Sequence, residues 1–472
     1  MTTLSTSPTP PASQRFTLVR SALRSVWQPR AIIVGMLVGV IVAAVVFALF
    51  CLANRAALHR DLPAARAHVA QAFVEGNLQD RDYLKGDTDL GWHQYNDCLI
   101  LHLALQQRAG IDALTVSPLA RAPTPPQTQC AILHQLLGGA RTQKADFYHR
   151  YIHGHTLLVR MLLPRLSVLA IRTRYHATLT LLVLAGIVTG LVAVVRRRRP
   201  VQGLFWLVVF LTFARWFGLE SFGQSLSHGP ADIVLLAYLL FLAVSGVRNG
   251  IGSRTAILSA ALFGAMTMTF EFLTGGIPLG LAAVIGGLAF AWGPRWDAAP
   301  QPVPVAPLMA FCTAVIGTAA LKILLVAQVF GWATIGEYSD QLQVRMGLNI
   351  AHSEQADLGL FHMAKQLAKG IEALAAGMPL MAAGFVLIAL FIGQWGARRL
   401  IATGSPAMRA RTIALILSNA AIAAMLLGFW QHTLVHAWFM ERTLAWTIAS
   451  GFALFLLALR DYPTEPGAGS AR

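Results

Sequence analysis

Apolar runs close to twenty residues long recur along the whole chain, and a water-soluble fold has no use for so many. About twenty residues of helix cross the hydrocarbon core of a bilayer. Inside that core, backbone N–H and C=O groups are satisfied only within helices or a closed barrel. The runs vary in length and lack the ten-residue alternation of barrel strands, so helices are expected. Composition agrees: 12% of the 472 residues are charged and 56% are apolar, against roughly one quarter charged in soluble domains. The chain reads as an all-α polytopic membrane protein.

Spans are expected at 31–53, 177–195, 201–217, 231–247, 255–271, 277–294, 305–330, 373–395, 412–430 and 443–459, about ten in all. The organisation is then a tail (1–30), a first transmembrane helix (31–53), a large loop (54–176), further helices (177–330), a second loop (331–372), the last helices (373–459) and a tail (460–472). The first run follows a polar tail and lacks a small-residue cleavage site, so it reads as a retained helix rather than a signal peptide.

Basic residues orient the spans. Arg15, Arg20, Arg24 and Arg30 precede the first, and the run Arg196–Arg199 joins the second and third. Arg248, Arg254, Arg295, Arg398, Arg399, Arg409, Arg411 and Arg460 continue the alternation, which puts both termini on the cytoplasmic side. Topology and anionic lipid thus account for much of the +16 net charge, and nucleic acid is not an expected partner. Of the 21 Asp and Glu, only Asp297, Asp461 and Glu465 fall in cytoplasmic segments, and all 14 histidines lie outward. Any chemistry faces outward.

The loop 54–176 is too long for a connector. Asp61-Leu-Pro is a plausible helix start. Tyr95, Leu99 and Leu103, four apart, predict a helix between Gly91 and Gln107. Cys98 and Cys130 share this loop; they can pair in an oxidising compartment or remain two free thiols. The stretch 148–174 is apolar but interrupted by Arg150, Arg160, Arg165, Arg172 and Arg174. That many arginines are costly in a lipid-facing helix. An amphipathic helix in the outer interface, its arginines reaching the headgroups, is expected instead, presenting Arg150, His153 and His155 to a membrane-embedded substrate.

The segment KGDTDLGWHQYND, 85–97, concentrates charge in this apolar chain. Asp87 and Asp89 form a D-x-D pair with Lys85, His93, Tyr95 and Asp97 nearby. A carboxylate there can act as general base on an acceptor hydroxyl; an Asx turn with a helix cap is the structural alternative. Glu220 and Glu271 lie in other outer segments, and Gly275, Gly276 and Pro278 after Glu271 predict a bend. His432 and His436, four apart, share a helix face, with Glu441 and Arg442 following. They suit phosphate or hydroxyl hydrogen bonding better than zinc, because no H-E-x-x-H motif is present, and a purely structural role is the alternative. Tyr338, Asp340 and Arg345 belong to a second outer loop long enough to cover a cavity as a lid, or to rest its apolar patches on the membrane. No Walker A motif appears, and Lys322 is the main mid-span charge.

This layout of first span, acid-bearing outer loop, interfacial stretch and many further spans resembles the integral-membrane glycosyltransferases of the GT-C fold. The resemblance extends to the arabinofuranosyl-transferring members and to the related enzymes that decorate pilins or bacterial surface glycans, without identifying a subfamily. The resemblance implies transfer of sugar from a polyprenyl-phosphate donor to a glycan, lipid or protein acceptor at the outer face of the bacterial inner membrane. It implies Asp87 or Asp89 as the base, and Arg150, His155, His432 and Arg442 on the lipid phosphate. Lys85, His93, Tyr95, Asp97, His153, Glu220, Glu271 and His436 complete the expected substrate contacts. Beyond membrane lipids it implies no fixed cofactor, a divalent metal being the one addition the D-x-D pair would suit. A transporter or flippase of lipid-linked or envelope glycan precursors is the alternative reading.

Overall fold

The computed structural model describes residues 29–82, 94–123, 127–139, 145–222, 225–271, 275–293, 301, 303–346, 379–436 and 440–460. The chain opens with α1 (Pro29–Ala57) and then builds the first loop from α2 (Leu62–Val74), α3 (Gln94–Leu105), α4 (Ile111–Val116), β1 (Leu119–Ala120), α5 (Gln129–Leu137), β2 (Asp146–Phe147) and α6 (Gly154–Leu162). The bundle continues with α7 (Val168–Val195), α8 (Pro200–Trp216), the short α9 (Leu219–Phe222), α10 (His228–Val247), α11 (Ser253–Phe270) and α12 (Gly276–Ala282). The last of these runs on through a π turn and a 3-10 turn to Phe290. It closes with α13 (Val305–Phe330), α14 (Thr334–Met346), α15 (Pro379–Thr403), α16 (Pro406–Gly428), α17 (Trp430–Val435) and α18 (Leu444–Arg460).

Among the described residues, each apolar run read from the sequence falls largely on helix. Among the described residues, 7 helical segments are long and apolar enough to cross a membrane: Pro29–Ala57, Val168–Val195, His228–Val247, Val305–Phe330, Gly384–Thr403, Pro406–Gly428 and Glu441–Arg460. Pro200–Trp216 and Gly276–Phe290 are shorter apolar helices. The protein is an all-α, membrane-type helical bundle. The only strands among the described residues, β1 and β2, pair antiparallel in the first loop, Leu119 opposite Phe147.

Small residues set how closely the long helices approach. Lipid tails are as apolar as leucine, so helices in a bilayer are held largely by close van der Waals contact. On α1, Gly35, Gly39 and Ala43 recur every fourth residue and face Ala306, Thr313 and Gly317 of α13. A side chain at Gly39 would collide with Thr313 and the Ala310 carbonyl. Gly186 and Gly190 of α7 receive Phe210 and Leu207 of α8 in the same way, and Gly393 of α15 meets Gly451 of α18. A leucine at any of these positions would force the pair apart.

The first loop has its own core. Val69, Ile100, Leu101, Leu133 and Leu136 bury against one another and against Val168, Ile171 and Tyr175 at the start of α7. Cys98 and Cys130 are joined by a disulfide within this core, closing the choice between pairing and free thiols. Helix α2 starts where Asp61-Leu-Pro predicts, although Asp61 adopts φ 40 and makes no side-chain cap. The Tyr95–Leu103 period is α3.

The stretch 148–174 differs from the expected single interfacial helix. It is a β2-to-α6 turn, a nine-residue helix, and then the first turns of α7, which Ser167 caps through Ala170 N. Arg165 and Arg174 are exposed. Arg160 and Arg172 are buried at 4% and 1% exposure and serve as internal struts rather than headgroup anchors. Arg160 donates to Asn54 Oδ1 (2.7 Å) and the Leu103 carbonyl (3.0 Å), tying α6 to α1 and α3.

Candidate functional site

A cleft of 490 Å³ opens where the first loop, α14 and the α16–α17 turn meet. One wall is the segment 147–151, which turns out of β2. The facing wall is α14, where Tyr338, Gln341, Leu342 and Arg345 recur at helical spacing and share a face. Phe429 completes the lining. Tyr338 Oη donates to the His149 carbonyl (2.7 Å), fixing α14 to the loop wall. The helical part 334–346 of the expected second loop thus forms one wall of this cleft.

Cations and aromatics dominate the lining. The Arg150 guanidinium stacks 5.9 Å above the Tyr148 ring. Arg345 Nη1 points between His432 Nδ1 (3.3 Å) and His436 Nε2 (3.4 Å), and the two rings lie 4.6 Å apart. The shared face predicted for these histidines is real, and a guanidinium occupies it. Among the described residues, neither Arg150 nor Arg345 has a carboxylate partner. Glu337 and Asp340 supply acids at the cleft wall. Behind Phe429 a smaller pocket of 60 Å³ is bounded by Glu271, Gly275, Pro278 and His432. Any side chain at Gly276 would strike the Glu271 carboxylate, so the bend read at Gly275-Gly276 lets the chain pass this buried acid.

The floor is apolar enough to shift its ionisable groups. Burial pushes the Tyr148 hydroxyl well above its ordinary value, reinforced by Tyr151, and burial raises Tyr151 as well. His149 is pulled down by burial and by the Lys322 charge, with Glu337 opposing. Beneath the wall, His153 enters α6 at φ 72 with Nε2 against the Tyr148 carbonyl (2.9 Å). Burial first, and then Lys322, hold it neutral. Burial lowers His155 to about 3 and Arg160 to about 10. His153 and His155 therefore shape the floor, as neutral side chains, and are not presented to the cleft.

The remaining sequence candidates separate. Arg150, His432 and His436 line or back the cleft, Glu271 sits in the adjoining pocket, and Tyr95 packs with Leu99 and Leu103 beside Tyr148 and Tyr151. Asp97 is not at the cleft: it is buried with Arg172, Ser225 and the Leu226 N–H as its partners. Arg442 is likewise committed, donating to Asp232 Oδ2 (2.6 Å) with its guanidinium 3.9 Å over Phe217. Glu220 lies exposed on α9. Lys85, Asp87, Asp89 and His93 lie outside the described residues.

Tyr148, Tyr151, Tyr338 and Arg345 were not singled out from sequence as substrate contacts. The signal for α14 was present in the seven-residue interval between Tyr338 and Arg345, which puts both on one face. Among the described residues no set of three or more His, Cys, Asp or Glu converges as a metal site. Compared with family models, characterised proteins and solved structures, the chain matches none.

Proposed function

We propose that the chain is an integral-membrane glycosyltransferase that moves a sugar from a polyprenyl-phosphate donor to a cell-envelope glycan, lipid or protein acceptor on the extracytoplasmic side. The observation that carries this reading is the pair Arg150 and Arg345, uncommitted to any carboxylate among the described residues, in a cleft walled by tyrosines at the loop end of an apolar bundle. Two guanidinium groups in a partly dehydrated cleft suit the phosphate that departs with the lipid, since they stabilise its charge without a nucleotide or a second acid. Tyrosine faces suit the sugar. A buried disulfide in the first loop and arginines at the other bundle end both favour an outward-facing cleft.

In this reading Asp87 or Asp89 removes the acceptor proton, and the cleft residues hold the donor. The transporter alternative gains less. Lys322, the charge read as mid-span, is buried and donates to the Val116 carbonyl and to Ser117 Oγ (3.2 Å), so it clamps the first loop to α13 and is engaged there instead of standing open in a translocation path.

The test is transfer by the purified protein in nanodiscs, given a polyprenyl-phosphate sugar and candidate acceptors and read by mass spectrometry. Product is expected, with a loss of about 10²–10⁴-fold in Asp87→Ala or Asp89→Ala. Absence of turnover with every lipid-linked donor, together with substrate accumulation in proteoliposomes, would replace this reading with transport.

A further inference from the structure

At the opposite end of the bundle from the cleft, a second cavity of 340 Å³ lies between the last turns of α7 and α10. Its mouth is formed by Arg196, Arg198 and Arg248, and its wall by apolar side chains including Val192, Val244 and Val247. The turn that delivers the arginines is unusual: Arg197 and Arg199 both take positive φ, at 52 and 47. Non-glycine residues occupy that region at a cost. Alternation along this turn separates the roles of the arginines. Arg199 turns inward and donates to the carbonyls of Gly246 and Trp292 (3.0 Å each), while Arg196 and Arg198 line the cavity.

The three arginines at the mouth are unspent. Among the described residues, none of Arg196, Arg198 and Arg248 makes a side-chain hydrogen bond or an ion pair. Two further arginines at this end are committed: Arg411 donates to the Ala289 carbonyl and Arg409 to that of Gly404. A general excess of positive charge at a membrane face needs neither a cavity nor convergence of uncommitted groups from two helices.

We infer that this cavity is a binding site for an anionic phospholipid, its headgroup phosphate held by Arg196, Arg198 and Arg248 and an acyl chain lying along Val192, Val244 and Val247. Charge complementarity fixes the headgroup, since guanidinium groups match phosphate oxygens in pairs. The wall fixes the rest of the ligand, because an apolar groove at the end of two spanning helices is continuous with the bilayer. Basic pockets between transmembrane helices are known to select anionic headgroups. The inference does not depend on the proposed transferase activity.

The full chain, purified and delipidated in detergent, would be titrated with dioleoyl phosphatidylglycerol, dioleoyl phosphatidylcholine and inorganic phosphate and read by native mass spectrometry. Retention of phosphatidylglycerol alone is expected. Arg196→Gln, Arg198→Gln and Arg248→Gln combined should weaken it roughly 100-fold. These side chains are exposed and unbonded, so folding should not suffer. Val192→Trp fills the groove with the charges intact and should also weaken binding, whereas Arg398→Gln should not. Equal retention of phosphatidylcholine, binding of phosphate as tight as that of the lipid, or equal loss in Arg398→Gln would each overturn the site.

Discussion

Arg172 grips a single oxygen of Asp97 with two nitrogens, Nε at 2.9 Å and Nη2 at 2.7 Å, across 75 residues of chain. The other Asp97 oxygen accepts from Ser225 Oγ and the Leu226 N–H, both at 2.8 Å, and Arg172 Nη1 donates to the Asn77 carbonyl at 2.7 Å. One buried pair thus joins α3, α7, the α2–α3 connection and the lead-in to α10. Removing one partner strands a buried charge, which costs about 3–5 kcal/mol. Asp97→Ala should lower the thermal unfolding midpoint markedly, with turnover falling only as folded protein is lost. A fully stable Asp97→Ala protein without activity would instead return Asp97 to the substrate contacts expected from the sequence.

How much of this was legible in sequence depended on distance along the chain. Period and charge alternation located the apolar helices, because every term in that argument is local. The shared face of His432 and His436 is a four-residue relation and was also legible. Their partner Arg345 stands 87 and 91 residues upstream on a different helix, and no local pattern announces it. Arg172 shows the same limit from the other side. Within its own segment it is an arginine interrupting an apolar stretch, for which headgroup contact is the economical reading; only the fold brings Asp97 to it.

Acid should destabilise the first loop. Burial, with a smaller push from Arg121, lowers His102 to about 4, and burial lowers His155 to about 3, against 6.5 for a free imidazole. Both are neutral in the fold, so between pH 6.5 and those values the unfolded chain binds more protons. Stability is therefore complete above about pH 6.5 and falls as pH drops through the window. His102 alone accounts for about 3 kcal/mol by pH 4. Unfolding midpoints taken from pH 7 to 5 should decline, and His102→Gln should flatten the slope. A slope identical to that of the parent protein would mean His102 is protonated or solvated in the fold.

The Cys98–Cys130 bond closes a loop with a sequence separation of 32. Restricting the unfolded chain over that length contributes about 3–4 kcal/mol. Replacing both by serine should lower the unfolding midpoint, and reductant should do the same to the parent protein only once the loop core opens, because both sulfurs are fully buried. Rapid reduction with no change in stability would argue that the loop core holds without the bond.

Orientation can be read by labelling. In a background lacking Cys51 and Cys312, Asp146→Cys beside the cleft should react with a membrane-impermeant maleimide in intact cells. Arg197→Cys should react only after permeabilisation. Asp146 and Arg197 are both exposed, so access to each depends on the membrane and not on burial. The reverse pattern would put the cleft in the cytoplasm and remove the basis for a lipid-linked donor.

Arg345 is the residue on which the proposed chemistry turns. Its guanidinium reaches both His432 and His436 at distances longer than strong hydrogen bonds, so it is oriented without being neutralised. An anion entering the cleft can therefore claim its remaining donors. Arg345→Ala should lower kcat/KM for a lipid-linked sugar by about 10²-fold, as loss of one charge-stabilising donor does elsewhere. Arg345→Lys should restore only part of this, because an ammonium cannot present a planar fork between two imidazoles and a phosphate. His432→Ala with His436→Ala should raise KM more than it lowers kcat, since these rings aim the guanidinium and do not touch the reacting atoms. If Arg345→Ala keeps full kcat/KM while Asp87→Ala and Asp89→Ala abolish it, the donor phosphate binds elsewhere and the cleft serves the acceptor.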